Sequence, residues 1–223
     1  MVILTSSILP FSKPKISSLK RIGPHNFDIL NIIIGSLLGD GSMERDGSGS
    51  RFAFYVATKN GPYLLWIHQQ ISSLGYAKPQ IPIVQTRKGK DREFVYFFRF
   101  RTFTYSSFNW ILEAFYPKGR KIIPKLLEEY LTPLSLAIWI MDDGCLIKNR
   151  GLRFSTNSFT LTEIKYLSSL LENKFSLKTT IHKSGIGNQY NIYIPKSSLP
   201  HLIKLVNIHM HPHFYYKLGL INE

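Results

Sequence analysis

Residues 136–144 read Leu-Ala-Ile-Trp-Ile-Met-Asp-Asp-Gly, an apolar run that ends on two acids and a glycine. Thr132 and Pro133, just before this run, are typical of a helix N-cap and of a first helical position. The stretch therefore predicts a helix that begins at Pro133. Its acidic end is unfavourable, because a helix C-terminus carries a partial negative charge. Such an end indicates either an exposed Asp before a glycine cap or a carboxylate that binds a cation.

Residues 33–41 have the same form and read Ile-Ile-Gly-Ser-Leu-Leu-Gly-Asp-Gly. Two such endings in one chain favour two carboxylates gathered around a cation. Asp40 and Asp143 lie 103 positions apart, which leaves room for one complete structural unit between them. The order of predicted helices and strands also returns, in shortened form, after the second stretch. The pattern indicates an internal duplication, and hence a monomer with internal pseudo-two-fold symmetry.

These two stretches resemble the paired signature helices of the LAGLIDADG homing endonucleases, in the single-chain form with two motifs. The match lies in length, small residues, terminal acid and glycine. Aligned on the signature, Asp40 and Asp143 take the position of the catalytic, metal-binding acid. Asp142 matches a further acid of the signature, where the first copy has Gly39. We expect Asp143, not Asp142, to be the second principal ligand, with Gly39 and Asp142 as further contacts to the metal.

The resemblance implies a site-specific DNA endonuclease encoded by a mobile intron. It implies a double-strand break across the minor groove of a long target, leaving short 3′ overhangs. Mg²⁺ suits two carboxylates, since it keeps several waters and takes few protein ligands. We expect two or three Mg²⁺ ions, substitution by Mn²⁺, and binding without cleavage in Ca²⁺.

The family also places a basic residue near each active site, and Lys121 and Lys217 are the matching positions. Either lysine would stabilise transition-state charge or tune the attacking water. Asn157, after the second strand of the second half, matches a polar residue that orders solvent. Thr58 is its weaker counterpart in the first half, because strict alternation places it on the core side of its strand.

The expected fold class is α+β. Two pseudo-symmetric αββαββα units, residues 28–131 and 132–223, would form a saddle of antiparallel sheets joined by the two motif helices. Gly35 and Gly39 lie on one helix face and would admit the other motif helix near Ala137. Residues 1–27 form a basic extension without Asp or Glu. It fits an organelle-targeting leader, a DNA-contacting arm or the remnant of an upstream reading frame.

Strands are predicted at residues 78–86 and 92–102. In the second of these, Phe94, Tyr96, Phe98 and Phe100 share one face, predicted to pack on helices. Arg99 and Arg101 lie on the other, which indicates either a DNA-contacting face or an ordinary solvated one. The full set of predicted DNA contacts is Arg51, Tyr55, Lys59, Arg87, Lys88, Lys90, Arg92, Arg99, Arg101, Arg153, Lys178, Lys183 and Asn191.

Composition limits the function classes. The chain has 223 residues and a formal net charge of +14, which favours a polyanionic partner and above all nucleic acid. Residues 29–38 form the most apolar run, which is too short to cross a bilayer, so no membrane partner is expected. The single cysteine fits a reducing intracellular compartment, such as that of an organelle.

Two other functions remain open from the sequence. One is an RNA-binding intron maturase with the same fold, acting on its host intron RNA with or without DNA cleavage. The other is a DNA-binding regulator without catalysis, which leaves the two helix-end acids unexplained.

The run His209, His211 and His213 suggests a transition-metal site, but no cysteine accompanies it and Pro212 interrupts it.

Overall fold

The computed structural model describes residues 16–89, 93–185 and 187–220. Its α-helices, in chain order, are α1 (Phe27–Leu38), α2 (Gly61–Ser73), α3 (Asn109–Phe115), α4 (Leu127–Tyr130), α5 (Pro133–Asp143), α6 (Leu161–Phe175) and α7 (Leu199–Val206). The strands are β1 (Ser42–Asp46), β2 (Gly49–Ala57), β3 (Val84–Lys88), β4 (Phe94–Arg101), β5 (Gly144–Ile147), β6 (Gly151–Phe154), β7 (Thr180–Lys183) and β8 (Tyr190–Pro195). Six 3₁₀ segments in these residues are Ser18–Lys20, Thr58–Asn60, Ser106–Phe108, Lys196–Ser198, Asn207–His209 and Pro212–Leu218.

The strands form two four-stranded antiparallel sheets with the same connectivity. The first sheet has the order β1-β2-β4-β3, and the second has the order β5-β6-β8-β7. Each motif helix is followed directly by the first strand of one sheet. The predicted α+β class with antiparallel sheets is therefore confirmed, and the repeated strand order is what an internal duplication produces.

The chain divides into two compact units. Unit 1 consists of Met1–His25 and Ser42–Trp110, and unit 2 consists of Asn26–Gly41 and Ile111–Glu223. Helix α1 thus belongs to unit 2, with the second motif helix. The predicted boundary between residues 131 and 132 separates two sequence repeats, and it stays a prediction, as does a separate extension at residues 1–27. Residues 1–15 of that extension lie outside the described residues.

In unit 1 the alternation of β2 decides which side chains enter the core. Phe52 and Phe54 are fully buried and Val56 nearly so, as alternation gives in a strand with one buried face. Helix α2 packs on this side of the sheet with Tyr63 and Leu64. Burial of each such side chain contributes roughly 1.5–3 kcal/mol to folding.

The predictions for the third and fourth strands were partly wrong. Residues 78–83 are not in a strand, since proline lacks the N–H that a strand ladder needs and both Pro79 and Pro82 lie there. Phe94 and Tyr96 are 59% and 54% exposed, although we expected both to pack on helices. At the other end of β4, a Cβ on Gly61 would lie 2.7 Å from the Phe98 ring. The first turn of α2 therefore covers Phe98, while the start of β4 lies uncovered.

In unit 2 local sequence signals set the two motif helices. Asn26 caps α1 by accepting a hydrogen bond from the Ile29 amide at 3.1 Å. Thr132 and Ser135 form a reciprocal capping box at the start of α5, with Pro133 in its first turn. The predicted start of this helix is therefore confirmed. The two helices are buried over most of their lengths, in keeping with their apolar composition.

Helices α1 and α5 run parallel and touch from beginning to end. At the start, the Thr132 hydroxyl donates to the side-chain oxygen of buried Asn31 at 3.1 Å. At the middle, a Cβ on Gly35 would lie 2.5 Å from the Ser135 carbonyl oxygen. Gly35 is thus a helix-contact residue, as predicted. The closest atoms come from Ser135 and Ile138 and not from Ala137, which is buried in the same helix.

The second sheet has its own apolar face. Leu152, Phe154, Ile192 and Ile194 are fully buried on it, and the Phe154 ring stacks on Trp139 of α5 at 3.8 Å between ring centres. Helix α6 begins with a capping box between Thr160 and Glu163. The middle of α5 and the core of this sheet are therefore packed together within unit 2.

Candidate active site

The two motif acids stand at adjacent helix ends. Asp40 follows α1 by two residues, and Asp143 is the last residue of α5. The backbone amide of Asp40 donates to Oδ2 of Asp142 at 3.2 Å, which joins the two ends directly. Parallel packing of the helices therefore brings together acids that are 103 positions apart in the sequence.

The surroundings of these acids oppose their ionisation. Burial, and then the negative charge of Asp40, raise the pKa of Asp143 to about 7. Asp40 is exposed as a residue, but desolvation of its carboxyl still raises its pKa, against the opposing charges of Lys217 and Lys121. Burial thus raises the pKa of both acids, and Asp40 raises that of Asp143 further, an unfavourable charge that a divalent cation would offset.

Each predicted lysine caps the end of one motif helix. Nζ of Lys121 donates to the carbonyl oxygens of Gly39 and Gly41 at 3.0 and 2.9 Å. Nζ of Lys217 donates to the carbonyl oxygens of Met141 and Asp142 at 2.5 and 3.2 Å. Since these carbonyls have no partner within the helix, an ammonium group is favourable at both ends.

The two lysines occupy equivalent places. Each contacts the carbonyl that precedes a motif acid, namely that of Gly39 or that of Asp142. Burial lowers the pKa of both lysines, and the charges of the nearby acids oppose that shift. The structure thus gathers two acids and two lysines, and their catalytic roles stay predictions.

Gly39 and Asp142 hold the same position in the two motifs and contact each other. A Cβ on Gly39 would lie 2.4 Å from the Cβ of Asp142, so only glycine fits. This contact explains why the first motif has a glycine where the second has an acid. The hydrogen bond from the Asp40 amide shows that Asp142 also has a structural part. The predicted metal contacts of Gly39 and Asp142 stay predictions.

The predicted solvent-ordering residues lie in loops. Asn157 is exposed in a turn after β6, and its catalytic role stays a prediction. Thr58 is exposed at the start of a 3₁₀ segment, because β2 ends at Ala57. The expectation that alternation places Thr58 on the core side was therefore wrong.

The register of the first sheet sorts the predicted DNA contacts by face. Pairing and alternation place five of them on the face opposite Phe52, namely Arg51, Tyr55, Arg87, Arg99 and Arg101. Lys88 pairs with Phe94 and so lies on the other face. Lys59 is exposed in the 3₁₀ segment after β2. Lys90 and Arg92 lie outside the described residues.

Glu44 was not among the predicted site residues, yet its side chain holds three of these arginines. Its carboxylate accepts hydrogen bonds from Arg51 at 3.0 Å, Arg99 at 2.5 Å and Arg101 at 2.7 Å. We call these four residues the Glu44 cluster. The available signal was the period of two in β1, which puts Glu44 directly across from Arg51.

Four predicted DNA contacts lie in or next to the second sheet, and they do not share one exposed face. Arg153 pairs with Tyr193 and is partly exposed. Asn191 is only 4% exposed, and its Oδ1 accepts a hydrogen bond from the Thr156 amide at 3.2 Å. Its prediction as a DNA contact was therefore wrong, since the side chain is used inside the fold. Lys183 is exposed but lies on the face of Ile181, and exposed Lys178 precedes β7.

The donor set limits which cation fits. Among the described residues, no three His, Cys, Asp or Glu side chains form a metal-binding group. Two carboxylates such as those of Asp40 and Asp143 would leave further ligands to water and substrate oxygens, which Mg²⁺ accepts, and metal binding by this pair stays a prediction. In the same part of the chain, no helix is both long and apolar enough to cross a membrane.

Comparison with known proteins gives consistent matches. Residues 30–202 match the model of the LAGLIDADG DNA endonuclease family. The cytochrome b mRNA maturase bI2 of Saccharomyces cerevisiae is 44% identical over 208 residues, which cover 89% of this chain and 49% of the yeast protein. The chain thus spans about half the length of that relative.

Two further matches cover nearly the whole of the other protein. The intron-encoded endonuclease ai4 of Dictyostelium discoideum is 41% identical over 69% of this chain and 99% of its own length. The homing endonuclease I-WcaI, solved bound to its DNA recognition sequence, is 27% identical with a TM-score of 0.79. That alignment covers 100% of this chain and 96% of the other.

Proposed function

Because the chain belongs to the LAGLIDADG DNA endonuclease family, we propose that it is a site-specific homing endonuclease that cuts both strands of a long DNA target. The observation that carries this proposal is the pair of acids, each beside a helix-capping lysine, at the joined ends of α1 and α5. The wider proposal includes short 3′ overhangs, action as a monomer, an intron as the origin of the gene and an organelle as the compartment.

Asp40 and Asp143 would hold the divalent metal, with Mg²⁺ as the expected ion. When bound, the metal supplies charge neutralisation at the scissile phosphate and an acidified water. The carboxylates supply the negative charge that retains the ion, and the ion in turn offsets the cost of holding that charge in a partly desolvated site. Two acids related by pseudo-symmetry would serve one strand each.

Lys121 and Lys217 would keep the helix ends in place and add positive charge beside the acids. Each ammonium is fixed by at least two backbone carbonyls, so it enters the reaction already oriented. Preorganised charge of this kind stabilises a transition state without the cost of reorienting water. Five of the predicted contacts lie on the face of the first sheet opposite Phe52, and we propose them as the DNA-binding residues of unit 1. They are Arg51, Tyr55, Arg87, Arg99 and Arg101.

Cleavage of a plasmid library that carries randomised sites tests the proposal. Separate reactions contain Mg²⁺, Mn²⁺, Ca²⁺ or no metal, and sequencing of the ends gives the site and the overhang. We expect specific double-strand cuts in Mg²⁺ that are lost in Asp40→Asn and Asp143→Asn. Lys121→Met and Lys217→Met should slow cleavage by at least tenfold, as is usual for loss of an electrostatic catalytic group.

The matched control is Asp28→Asn, which removes an exposed acid from the first turn of the same helix as the first motif. It should cut like the parent protein. A parent protein that binds a selected duplex but leaves it whole in every metal would contradict the proposed reaction.

The second candidate function is that of an intron maturase, favoured by the similarity to the yeast cytochrome b mRNA maturase bI2. One feature of unit 1 suits RNA. Phe94 and Tyr96 expose aromatic rings on the face opposite the arginines, with Lys88 beside Phe94. Exposed aromatic rings stack on unpaired bases, which are what proteins usually recognise in folded RNA.

Splicing of the host intron RNA in the presence and absence of the protein tests this candidate. We expect Asp40→Asn to retain any splicing activity while losing DNA cleavage. The double variant Phe94→Ser/Tyr96→Ser should show the opposite pattern. Equal loss of both activities in both variants would argue against separate surfaces for RNA and DNA.

A further inference from the structure

The Glu44 cluster concentrates opposite charges on one face of unit 1. Arg101 uses Nε and Nη2 on the two carboxylate oxygens of Glu44, at 2.7 and 3.3 Å. Arg51 reaches Glu44 through Nε and Asp46 through Nη1, and Arg99 uses Nη2 alone. One glutamate therefore fixes three guanidinium groups, and it takes two hydrogen bonds from one of them.

The arginines remain accessible in this arrangement. Their side chains are 27%, 32% and 37% exposed for Arg51, Arg99 and Arg101, and all three line a cavity of about 540 Å³. A guanidinium has five N–H groups. Each arginine thus keeps donors free of Glu44 and available to a nucleic acid. Burial opposes ionisation of Glu44, but hydrogen bonds from Arg101 and Arg51 outweigh it, so the pKa of its carboxyl lies below the usual value.

Arg87, on the same face, is supported differently. Its guanidinium lies 5.5 Å from the centre of the Tyr55 ring and 5.9 Å from that of the Phe97 ring, and no acid among the described residues holds it. The second sheet also differs: β5 has Ile147 where β1, counted from its motif glycine, has Glu44. The cluster is therefore a local feature of the first sheet and not a general property of the fold.

We propose that Glu44 is a positioning residue for DNA recognition, which orients Arg51, Arg99 and Arg101 for base reading and weakens their attraction to phosphate of any sequence. This inference rests on the proposed DNA endonuclease function. An arginine reads guanine through two donors held in one plane, so a fixed guanidinium loses less freedom on binding. The charge of Glu44 also cancels one positive charge of the three, which reduces contact with non-target DNA.

Binding by Glu44→Gln and Glu44→Asp separates orientation from charge. A duplex selected by the parent protein from a random pool serves as target, and a shuffled duplex of equal composition serves as non-target. For Glu44→Gln we expect tighter non-target binding, a slope of log affinity against log salt that is steeper by about 0.9 per lost charge, and discrimination poorer by about three- to tenfold. Glu44→Asp keeps the charge but is shorter, so discrimination should fall while the salt dependence stays unchanged.

Glu93→Gln is the charge-matched control, because it removes one acid from an exposed position of the same unit. If it impairs discrimination as much as Glu44→Gln, net charge and not orientation is responsible, and the inference falls. Unchanged discrimination in both Glu44 variants would also overturn it. A parent protein that selects no duplex at all would overturn the proposed function, and this inference with it.

Discussion

Ionisation of the Asp143 carboxyl is unfavourable in the folded, metal-free protein. Its carboxyl is partly exposed, stands at a helix C-terminus and shares its surroundings with Asp40. The pKa of about 7 in the folded protein lies above the ordinary value of 3.8, so the folded state binds this proton more tightly. Stability is therefore greatest below the ordinary value and is lost as the pH rises through the folded pKa.

Because the pKa of Asp143 is raised on folding, Asp143→Asn should change the stability of the metal-free protein in a pH-dependent way. Since the amide stays neutral, the variant should be more stable than the parent at pH 8, by about 1–3 kcal/mol after allowance for solvent exposure. At pH 4 the two should unfold alike. Thermal melts in a chelator at both values check it, and Mg²⁺ should restore stability to the parent only. A difference that does not change with pH would contradict the assignment.

Gly39→Ala tests the contact between the helix ends. The added Cβ would meet the Cβ of Asp142 at 2.4 Å, and backbone and side chain must shift to admit it. Overpacking of this kind costs about 1–3 kcal/mol. We expect a lower melting temperature and loss of cleavage, because Asp40 is the next residue. Gly23→Ala is the control, because the atom nearest to an added Cβ there would lie at 3.4 Å, an ordinary van der Waals contact.

The helices show where local sequence suffices. The caps at Thr132 and Thr160 lie within three residues of their partners, so both helix starts were predictable. Which part of a strand is buried depends on the elements that pack against it. The exposure of Phe94 and Tyr96 follows from where α2 begins, and alternation alone does not contain that information. Asn191 was misassigned for the same reason, because its partner Thr156 is 35 residues away.

Thr132→Ala tests how far the cap of α5 also serves the helix pair. The Thr132 side chain accepts from the Ser135 amide and donates to Asn31 of α1. Its loss should cost about 1–2 kcal/mol for the cap, and more for the unpaired Asn31. Thr160→Ala is the matched variant, since it removes a capping-box threonine from α6. Chemical denaturation should show the larger loss for Thr132→Ala, and equal losses would mean that the bond to Asn31 adds nothing.

The whole chain carries a net charge of +14, and its binding to DNA should depend strongly on salt. Contact with six to ten phosphates would lower affinity by about 10³- to 10⁵-fold between 50 and 200 mM salt. A titration of the selected duplex at four salt concentrations measures this slope. A nearly flat slope would show that few phosphates are contacted, against the proposed DNA surface.

Some residues of the candidate site could be predicted from the sequence, whereas their contacts could not. The two acids and two lysines followed from the repeated motif and the family resemblance, and the structure brings all four into unit 2. The backbone partners of Lys121 and Lys217 were not predictable, because they join residues 75 to 82 positions apart. The Glu44 cluster was missed because it depends on the pairing of β1, β2 and β4.

The fit of Gly39 against Asp142 also has an evolutionary consequence. A symmetric ancestor would have met its own copy with the same residue on both sides. Here the first motif has a glycine at the point where the second has an acid. Two copies of the second motif would oppose acid to acid, and two copies of the first would leave a gap. The two motifs are therefore complementary and not interchangeable, so neither half should pair equally well with a second copy of itself through this contact.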